Sequence, residues 1–207
     1  IVASLINHGA DKNEGPGAVI VYKKRNNGLF SYLQTIEAPL STVEISVETN
    51  LDFGIDMVIT DDNLIITTEP TLASTDSHSY IAIYEYGEFY WELVQEIFND
   101  EKLNEKSYVS DTLTSVYGGE HSLVADSNNL LFKSYVLYDG VSTGSYAFLH
   151  ASKIIGTFVI DFDNPIRHPQ EEGDASIKTL IENNSHNLFG DPKLYNDYLM
   201  IPSVEFI

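Results

Sequence analysis

Residues 51–70 read LDFGIDMVITDDNLIITTEP, two short apolar runs joined by an Asp-Asp-Asn turn. Phe53 and Gly54 precede the first run, and Pro70 closes the second. Short apolar runs bounded by turn residues are typical of paired β-strands. The stretch therefore predicts a β-hairpin, and it contains no arrangement of residues that carries catalysis.

Looser copies of this stretch occur twice further along the chain. They begin at Tyr117 and Phe189, each followed by glycine. An apolar residue stands at the same distance after the last glycine in every copy, at Val58, Leu123 and Leu194, and a polar turn follows it. Repetition of an otherwise inert hairpin indicates a repeat architecture.

A second phrase alternates with the first. It is a strand of apolar or alternating residues that reads GAVIVY, SYIAIY and GSYAFL at 17–22, 79–84 and 144–149. Each is followed by a turn and a further strand, at 30–36, 91–97 and, more loosely, 153–160. Gln34 and Gln95 occupy matching places in the first two of these strands. Gly17 and Ser79 recur at nearly the same offset as these glutamines, so the chain contains a repeat of about 60 to 70 residues.

Each repeat predicts four short antiparallel strands, which the best-preserved copy places at 55–60, 64–68, 79–85 and 90–97. The units span approximately 1–50, 51–112 and 113–187, with the start of another at 188–207, all within a single domain 1–207. Asn27-Gly28 and Asp139-Gly140 are hairpin signals, because both residue types tolerate the positive φ of a type I′ turn.

One stretch departs from the strand pattern. In DASIKTLIEN, residues Asp174–Asn183, the apolar residues share one helical face and a polar residue can cap the start. It lies in a connection from about 161 to 187 that also holds Pro165 and Pro169. We expect a short helix there, inside an insertion between units and not in a linker between domains.

Four-stranded antiparallel units in tandem predict an all-β fold, a β-propeller-like array of blades. A large β-sandwich and a β-solenoid are the alternatives. A sandwich does not require a phrase restated at fixed spacing, and solenoid repeats are usually shorter. Because propellers have about four to eight blades, we expect these three units to be part of a larger propeller or to be completed by other chains.

The composition limits the classes of partner. The formal charge is −20, from 31 acidic and 11 basic residues, which opposes binding to phosphate backbones and anionic membranes. The absence of cysteine excludes disulfides and thiol chemistry. No apolar run approaches the roughly 20 residues of a membrane-spanning helix. We therefore expect no nucleic acid and no membrane insertion, and the acidic balance suits a soluble surface, a cation-rich setting or a basic partner.

In their order, the repeated phrases resemble those of the FG-GAP repeat family, which forms the blades of integrin α-subunit propellers and of many bacterial and viral surface proteins. Phe53-Gly54, the strand 64–70, the strand 79–84 and Gln95 match the family pattern in sequence. The match covers most of 1–98 and the skeleton of 113–207. The resemblance implies a propeller that works in adhesion or assembly, in an extracellular setting or on a virion surface.

One departure from the family pattern concerns calcium. Family members that bind calcium carry a long acidic loop between the first two strands, whereas this chain has only Asp61-Asp62-Asn63 or the turn 126–129 there. Such turns are too short to supply the six to eight oxygen ligands that calcium takes. Asp11, Asn13 and Glu14, in the glycine-rich stretch 9–17, are a separate calcium candidate, with a flexible polar connection as the alternative. The metal site is left unassigned.

No constellation in the sequence indicates catalysis. The histidines, at positions 8, 78, 121, 150, 168 and 186, are scattered without metal-ligand spacing. Asp61, Asp126 and Asp161 are carboxylates of the kind that glycosidases use in pairs, but they stand at non-equivalent or turn positions. Nucleophile-elbow and phosphate-loop motifs are absent. We therefore predict no catalytic and no cofactor-binding residue.

Two further residues have both a functional and a structural interpretation. Trp91 could stack on a sugar, but it matches Phe30 at the start of the equivalent strand, which favours packing between units. Asn183 begins the only N-glycosylation sequon, which matters only in a eukaryotic secretory route.

The sequence thus predicts a non-enzymatic structural or adhesive surface module, which presents inter-strand loops on one face to other protein subunits or to a glycan. The alternative is a polysaccharide-active propeller enzyme, a glycosidase or a lyase. That alternative requires carboxylates from different units within about 5–10 Å of one another.

Overall fold

The structure is a computed structural model, and it describes residues 2–5, 17–39, 52–68, 80–98, 113–117, 122–138, 141–166, 192–195 and 198–200. These residues form strands and turns and contain no helix. The all-β prediction is confirmed for them. The predicted helix Asp174–Asn183 and the third Phe-Gly pair at Phe189 lie outside the described residues, as do the glycine-rich stretch 9–17 up to Pro16 and the sequon.

The first sheet has three described strands, β1 (Val2–Leu5), β2 (Ala18–Lys24) and β3 (Phe30–Glu37). They are antiparallel in the order β1-β2-β3. β1 therefore stands beside β2, the strand of the second phrase, as the first strand described in this sheet.

The second sheet is a four-stranded antiparallel meander of β4 (Asp56–Ile59), β5 (Asn63–Thr67), β6 (Tyr80–Tyr86) and β7 (Trp91–Phe98). Every boundary lies within one residue of the prediction. Asp61 and Asp62 are exposed in the turn between β4 and β5, so neither carboxylate serves packing.

The third sheet differs from the prediction because it has five strands, β8 (Leu113–Tyr117), β9 (Leu123–Ala125), β10 (Asn129–Tyr138), β11 (Val141–Ile154) and β12 (Thr157–Ile166). β10 is longer than its counterpart β5. Residues 130–132 of β10 pair with β9, and residues 134–138 pair with β8. β10 thus pairs along one edge with two short strands, β9 and β8, whereas the sequence pattern predicts four strands in this unit.

The fourth sheet is the described antiparallel pair β13 (Lys193–Tyr195) and β14 (Tyr198–Met200). The short first strands of successive units lie side by side, β4 against β9 and β9 against β13. The described sheets therefore form an open array of antiparallel sheets, compatible with propeller blades.

The core consists of the layers between neighbouring sheets. Side chains alternate along β6, so Tyr80, Ala82 and Tyr84 pack against the first sheet, while Ile81 and Ile83 pack against the third. Both faces of the second sheet are therefore buried, which explains the continuous apolar run of β6. A smaller cluster joins the third sheet to the fourth; its members are Leu131, Phe148, Val124, Ile166 and Leu199.

The hairpin at Asn27-Gly28 is present, but its turn is not the predicted type I′. Of the two residues only Gly28 has a positive φ, of 83°. The Gly28 N–H donates to the Arg25 carbonyl (2.9 Å) and the Arg25 N–H donates to the Leu29 carbonyl (2.8 Å). This is a type I turn followed by a left-handed glycine, the usual solution for a three-residue connection. Asp139-Gly140 lies outside the described residues, although Tyr138 pairs with Val141 on either side of it.

The two matched glutamines tie neighbouring sheets together. Gln34 Nε2 donates to the Trp91 carbonyl (3.0 Å), and the Trp91 N–H donates to Gln34 Oε1 (2.9 Å). Gln95 makes the same pair of bonds with Phe158, both at 2.8 Å. The glutamines therefore join the outer strands β3, β7 and β12 in succession.

Substituting Gln95 with alanine is expected to lower the free energy of unfolding by about 2 kcal/mol, because the N–H and the carbonyl of Phe158 both lose their partner. Gln34→Ala should have a similar effect at Trp91. The two sites are far apart, so their effects should add in the double variant. Urea denaturation of the single and double variants measures this, and losses below about 0.5 kcal/mol would show that the bonds are not structural ties.

Asp56 makes a second connection between units. Its Oδ2 accepts hydrogen bonds from the backbone N–H groups of Ser122 (2.6 Å) and Leu123 (2.9 Å), and its Oδ1 accepts one from Met57 (2.8 Å). Ser122 is buried and begins the approach to β9. One carboxylate on β4 thereby fixes the first strand of the next unit.

Gly17 stands where the first sheet meets the start of the second unit. Its φ is 92°, and a Cβ at this position would lie 2.8 Å from the backbone N and O of Phe53. Phe53 itself is fully buried and its ring lies 6.1 Å from that of Tyr80. Glycine is required here by both conformation and space.

Candidate binding surface at the hairpin tips

Three hairpins, β2–β3, β6–β7 and β11–β12, each expose two adjacent large apolar side chains at the tip. We call these residues the tip row; they are Leu29 and Phe30 in the first tip, Phe89 and Tyr90 in the second, and Ile154 and Ile155 in the third. All six are exposed, from 47% for Phe30 to 100% for Ile155. Contiguous exposed apolar groups mark interaction surfaces in proteins.

Contacts between the sheets align the three tips at one end of the array. Lys23, next to the end of β2, donates to the Tyr86 hydroxyl at the end of β6 (2.9 Å) and lies 4.9 Å from that ring. Lys153, next to the end of β11, forms an ion pair with Glu85 (2.8 Å). The first tip therefore lies beside the second, and the third lies on the other side of the second.

Local hydrogen bonds shape the second tip. The Gly87 N–H donates to the Tyr90 carbonyl (2.8 Å), and the Tyr86 hydroxyl donates to the Phe89 carbonyl (3.3 Å). The Tyr86 ring meets the edge of Trp91 at 5.3 Å. The turn is thus held through the backbone carbonyls of Phe89 and Tyr90, and the side chains of those two residues remain in solvent.

The third tip carries backbone strain. Ile155 has a φ of 49° and is followed by Gly156 with a φ of 83°, the two left-handed positions of a type I′ turn that Asn-Gly or Gly-Gly usually fill. A β-branched residue in this conformation is an outlier that costs about 1–3 kcal/mol. Ile155 gains no packing within the chain that would offset the strain, since it is fully exposed. Such strain at an exposed apolar side chain points to a role outside the fold.

The charge differs from tip to tip. Lys23, Lys24 and Arg25 are exposed beside the first tip, whereas Glu88 and Glu92 are exposed beside the second. At the third tip, Lys153 is occupied by Glu85 and by Asn63 Oδ1 (3.0 Å). The hydrogen bond from Lys153 lowers the pKa of Glu85 against the opposing effect of burial, so the Glu85 carboxylate stays charged at neutral pH.

Trp91 is not placed to bind a sugar. Only 8% of it is exposed, and it packs in the layer between the first and second sheets. The prediction that it serves packing between units is confirmed.

Asp126 and His150 are brought together through Asn129. Asp126 Oδ1 accepts from the N–H groups of Asn128 (2.8 Å) and Asn129 (2.7 Å), while Asn129 Oδ1 lies 3.0 Å from His150 Nε2. Burial opposes ionisation of Asp126, but these hydrogen bonds and the nearby His150 outweigh it and lower its pKa. Asp161 pairs with His150 in the strand register. A carboxylate with a lowered pKa is unsuited to the role of general acid in glycoside cleavage.

Glu96 shows the opposite shift, since burial raises its pKa. Burial raises the pKa values of Tyr80 and Tyr84 most, and the nearby Glu96 raises them further. Both tyrosines belong to the layer between the first two sheets. Glu96 therefore titrates inside the packing layer and not at the tip row.

Within the described part of the chain, no group of three or more histidine, aspartate or glutamate side chains is placed to hold a metal. Asp11, Asn13 and Glu14 lie outside that part, as do the histidines other than His150. The described residues also include no helix that is long and apolar enough to cross a membrane.

No protein-family model, no curated protein and no solved structure matches this chain. The exposure of the tip row and the contacts that align its three tips are therefore what identify it as the candidate site. Sequence reasoning missed it, although a signal existed: two adjacent large apolar residues stand in or beside the last turn of each unit, as Leu-Phe, Phe-Tyr and Ile-Ile.

Proposed function

We propose that this chain is a non-enzymatic structural or adhesive module, an FG-GAP-like β-propeller or part of one, that binds a protein or a glycan through the tip row. The observation that carries the proposal is the alignment of three exposed apolar pairs at one end of neighbouring sheets. An extracellular or virion assembly, with further protein subunits, is the setting we propose for it.

The tip row has the composition of a recognition surface. Phe30, Phe89 and Tyr90 supply rigid aromatic area, which is enriched among residues that dominate binding energy. They stand on hairpin turns supported by buried sheets, the usual arrangement of binding loops on a rigid scaffold. The strained Ile155 fits the same purpose, because its side chain is held out in solvent at a cost to the fold.

The carboxylates support binding more than catalysis. Asp56 and Asp126 are engaged by backbone N–H groups, and Asp61 stands in an exposed turn. A glycosidase needs one carboxyl with a raised pKa facing a second across the substrate. The described residue with a raised carboxyl pKa, Glu96, lies at a packing layer instead.

The test compares the chain with Ile155→Asn and Phe89→Ser on immobilised glycans and on purified extracellular-matrix proteins, with the release of reducing ends from polysaccharides measured in parallel. We expect retention on at least one surface, a loss of about tenfold or more in each variant, and no release of reducing ends. Val94→Ser, at an exposed apolar residue of β7 away from the tips, is the matched control.

Ile155→Asn is informative because it should not damage the fold. Asparagine suits the left-handed turn position, so the variant should melt at a slightly higher temperature than the parent chain. Retention that neither tip variant changes, or polysaccharide cleavage by the parent chain, would contradict the proposed function.

A further inference from the structure

We infer that the tip row binds the tip row of a second copy of this chain, in a two-fold contact that sets the first tip of each copy against the second tip of the other. The inference rests on the proposed function, since it names the partner of the same surface. It is carried by the opposite charges of the first and second tips.

The first tip concentrates positive charge in a chain that is acidic as a whole. Lys23, Lys24 and Arg25 are consecutive, in a chain with only 11 basic residues against 31 acidic ones. Lys24 and Arg25 are exposed immediately before the turn that presents Leu29 and Phe30. A partner for this tip therefore needs an apolar contact surface rimmed by carboxylates.

The second tip is such a surface. Glu88 and Glu92 flank the exposed Phe89 and Tyr90. Asn63 pairs with Glu85 in the strand register, so the exposed turn residues before it, Asp61 and Asp62, lie at the same end of the sheet. The second sheet therefore ends in an exposed apolar pair with four exposed carboxylates at the same end, those of Glu88, Glu92, Asp61 and Asp62.

A two-fold axis between the tips satisfies both requirements at once. In an isologous contact, if the first patch of one copy meets the second patch of the other, then the second patch of the one copy also meets the first patch of the other. The basic first tip of each copy then meets the acidic second tip of the other, so the contact occurs twice in the dimer. The exposed apolar pairs of the two tips lie between the charges. At physiological ionic strength the Debye length is about 8 Å, so repulsion between charges of the two acidic copies that lie further apart than this is largely screened.

Charge reversal provides the test. The first-tip reversal is Lys24→Glu with Arg25→Glu, and the second-tip reversal is Glu88→Lys with Glu92→Lys. All four side chains are exposed, so the fold should be kept, and circular dichroism with thermal melting verifies this. The full 207-residue chain and each variant are studied by sedimentation equilibrium at physiological ionic strength, from low micromolar to near-millimolar protein.

We expect a concentration-dependent dimer of the parent chain, whose Kd rises by about tenfold or more in either reversal alone, since like charges then face each other. An equimolar mixture of the two reversals should form a mixed dimer, and the chain that carries all four substitutions should dimerise again. A parent chain that stays monomeric throughout, or a dimer that is insensitive to the reversals, would overturn the inference.

The remaining outcomes separate this inference from the proposed function. If the parent chain is monomeric but its retention on glycans or matrix proteins still depends on Ile155, the self-contact is wrong and the proposed function stands. If the chain instead sediments with phosphatidylcholine vesicles and Phe89→Ser abolishes this, the tip row binds a bilayer surface, and the self-contact is again wrong.

Discussion

Replacing Gly17 with alanine is expected to lower the free energy of unfolding by about 3 kcal/mol. Two costs combine. The backbone at Gly17 has a φ of 92°, and the added Cβ would lie 2.8 Å from the backbone N and O of Phe53. Backbone atoms of a fully buried residue cannot move aside as the end of a flexible side chain can.

Gly28 provides the matched control for this prediction. Its φ of 83° is similar, but a Cβ there would have no heavy atom within 4 Å. Gly28→Ala should therefore cost only the conformational strain, about 1 kcal/mol. Chemical denaturation of both variants isolates the cost of the close approach as their difference. Equal losses in the free energy of unfolding would mean that the close approach of Gly17 to the Phe53 backbone contributes nothing to the effect.

The second large effect is expected for Asp56→Ala, with a loss of about 3 kcal/mol in the free energy of unfolding. The substitution removes a charged acceptor from two backbone N–H groups, those of Ser122 and Leu123, and hydrogen bonds to charged groups contribute about 1.5–3 kcal/mol each. Both donors belong to nearly inaccessible residues, so water replaces the carboxylate poorly.

Two measurements check the Asp56 prediction. Denaturation should show a smaller loss for Asp56→Asn, which keeps one acceptor oxygen, and almost none for Asp62→Ala in the exposed turn. Hydrogen exchange should accelerate at the amides of Ser122 and Leu123 in Asp56→Ala. Unchanged protection at those two amides would show that β9 is held by other contacts.

The second sheet is the part of the fold that the sequence predicts best. Its strands lie within one residue of their expected bounds because apolar residues, tight turns and β-branched residues coincide there. The matched positions of Gln34 and Gln95 also correspond to a real equivalence, since both make the same bonds to the next sheet. A local sequence pattern is sufficient to predict strand bounds where residue propensity, turn residues and burial all favour the same structure.

The prediction failed where pairing depends on length or loop geometry. The fifth strand of the third sheet, β8, pairs with the part of β10 that extends beyond β9. A repeat pattern in the sequence does not show that one strand is longer than its neighbour. The turn at Gly28 takes a type I conformation with a left-handed glycine because three residues separate Arg25 from Leu29. Dipeptide signals identify such hairpins but not their turn type.

The sequence contains the apolar pairs of the candidate surface but does not reveal their exposure or their alignment. Pairs such as Phe89-Tyr90 are indistinguishable from core residues until their exposure is known. Their alignment depends on Lys23 reaching Tyr86 and on Lys153 reaching Glu85, contacts between residues more than sixty positions apart. Sequence periodicity describes faces within a sheet and carries no information on which ends of different sheets meet.

The glutamine ties have a consequence for how such a chain can evolve. Because Gln34 and Gln95 bind only the main chain of the neighbouring unit, the receiving position holds Trp91 in one case and Phe158 in the other. These hydrogen bonds therefore do not depend on the side chain of the residue that receives them. A unit that is duplicated, or whose side chains drift, keeps its connection to the next without a compensating substitution, so the array can lengthen and diversify one module at a time.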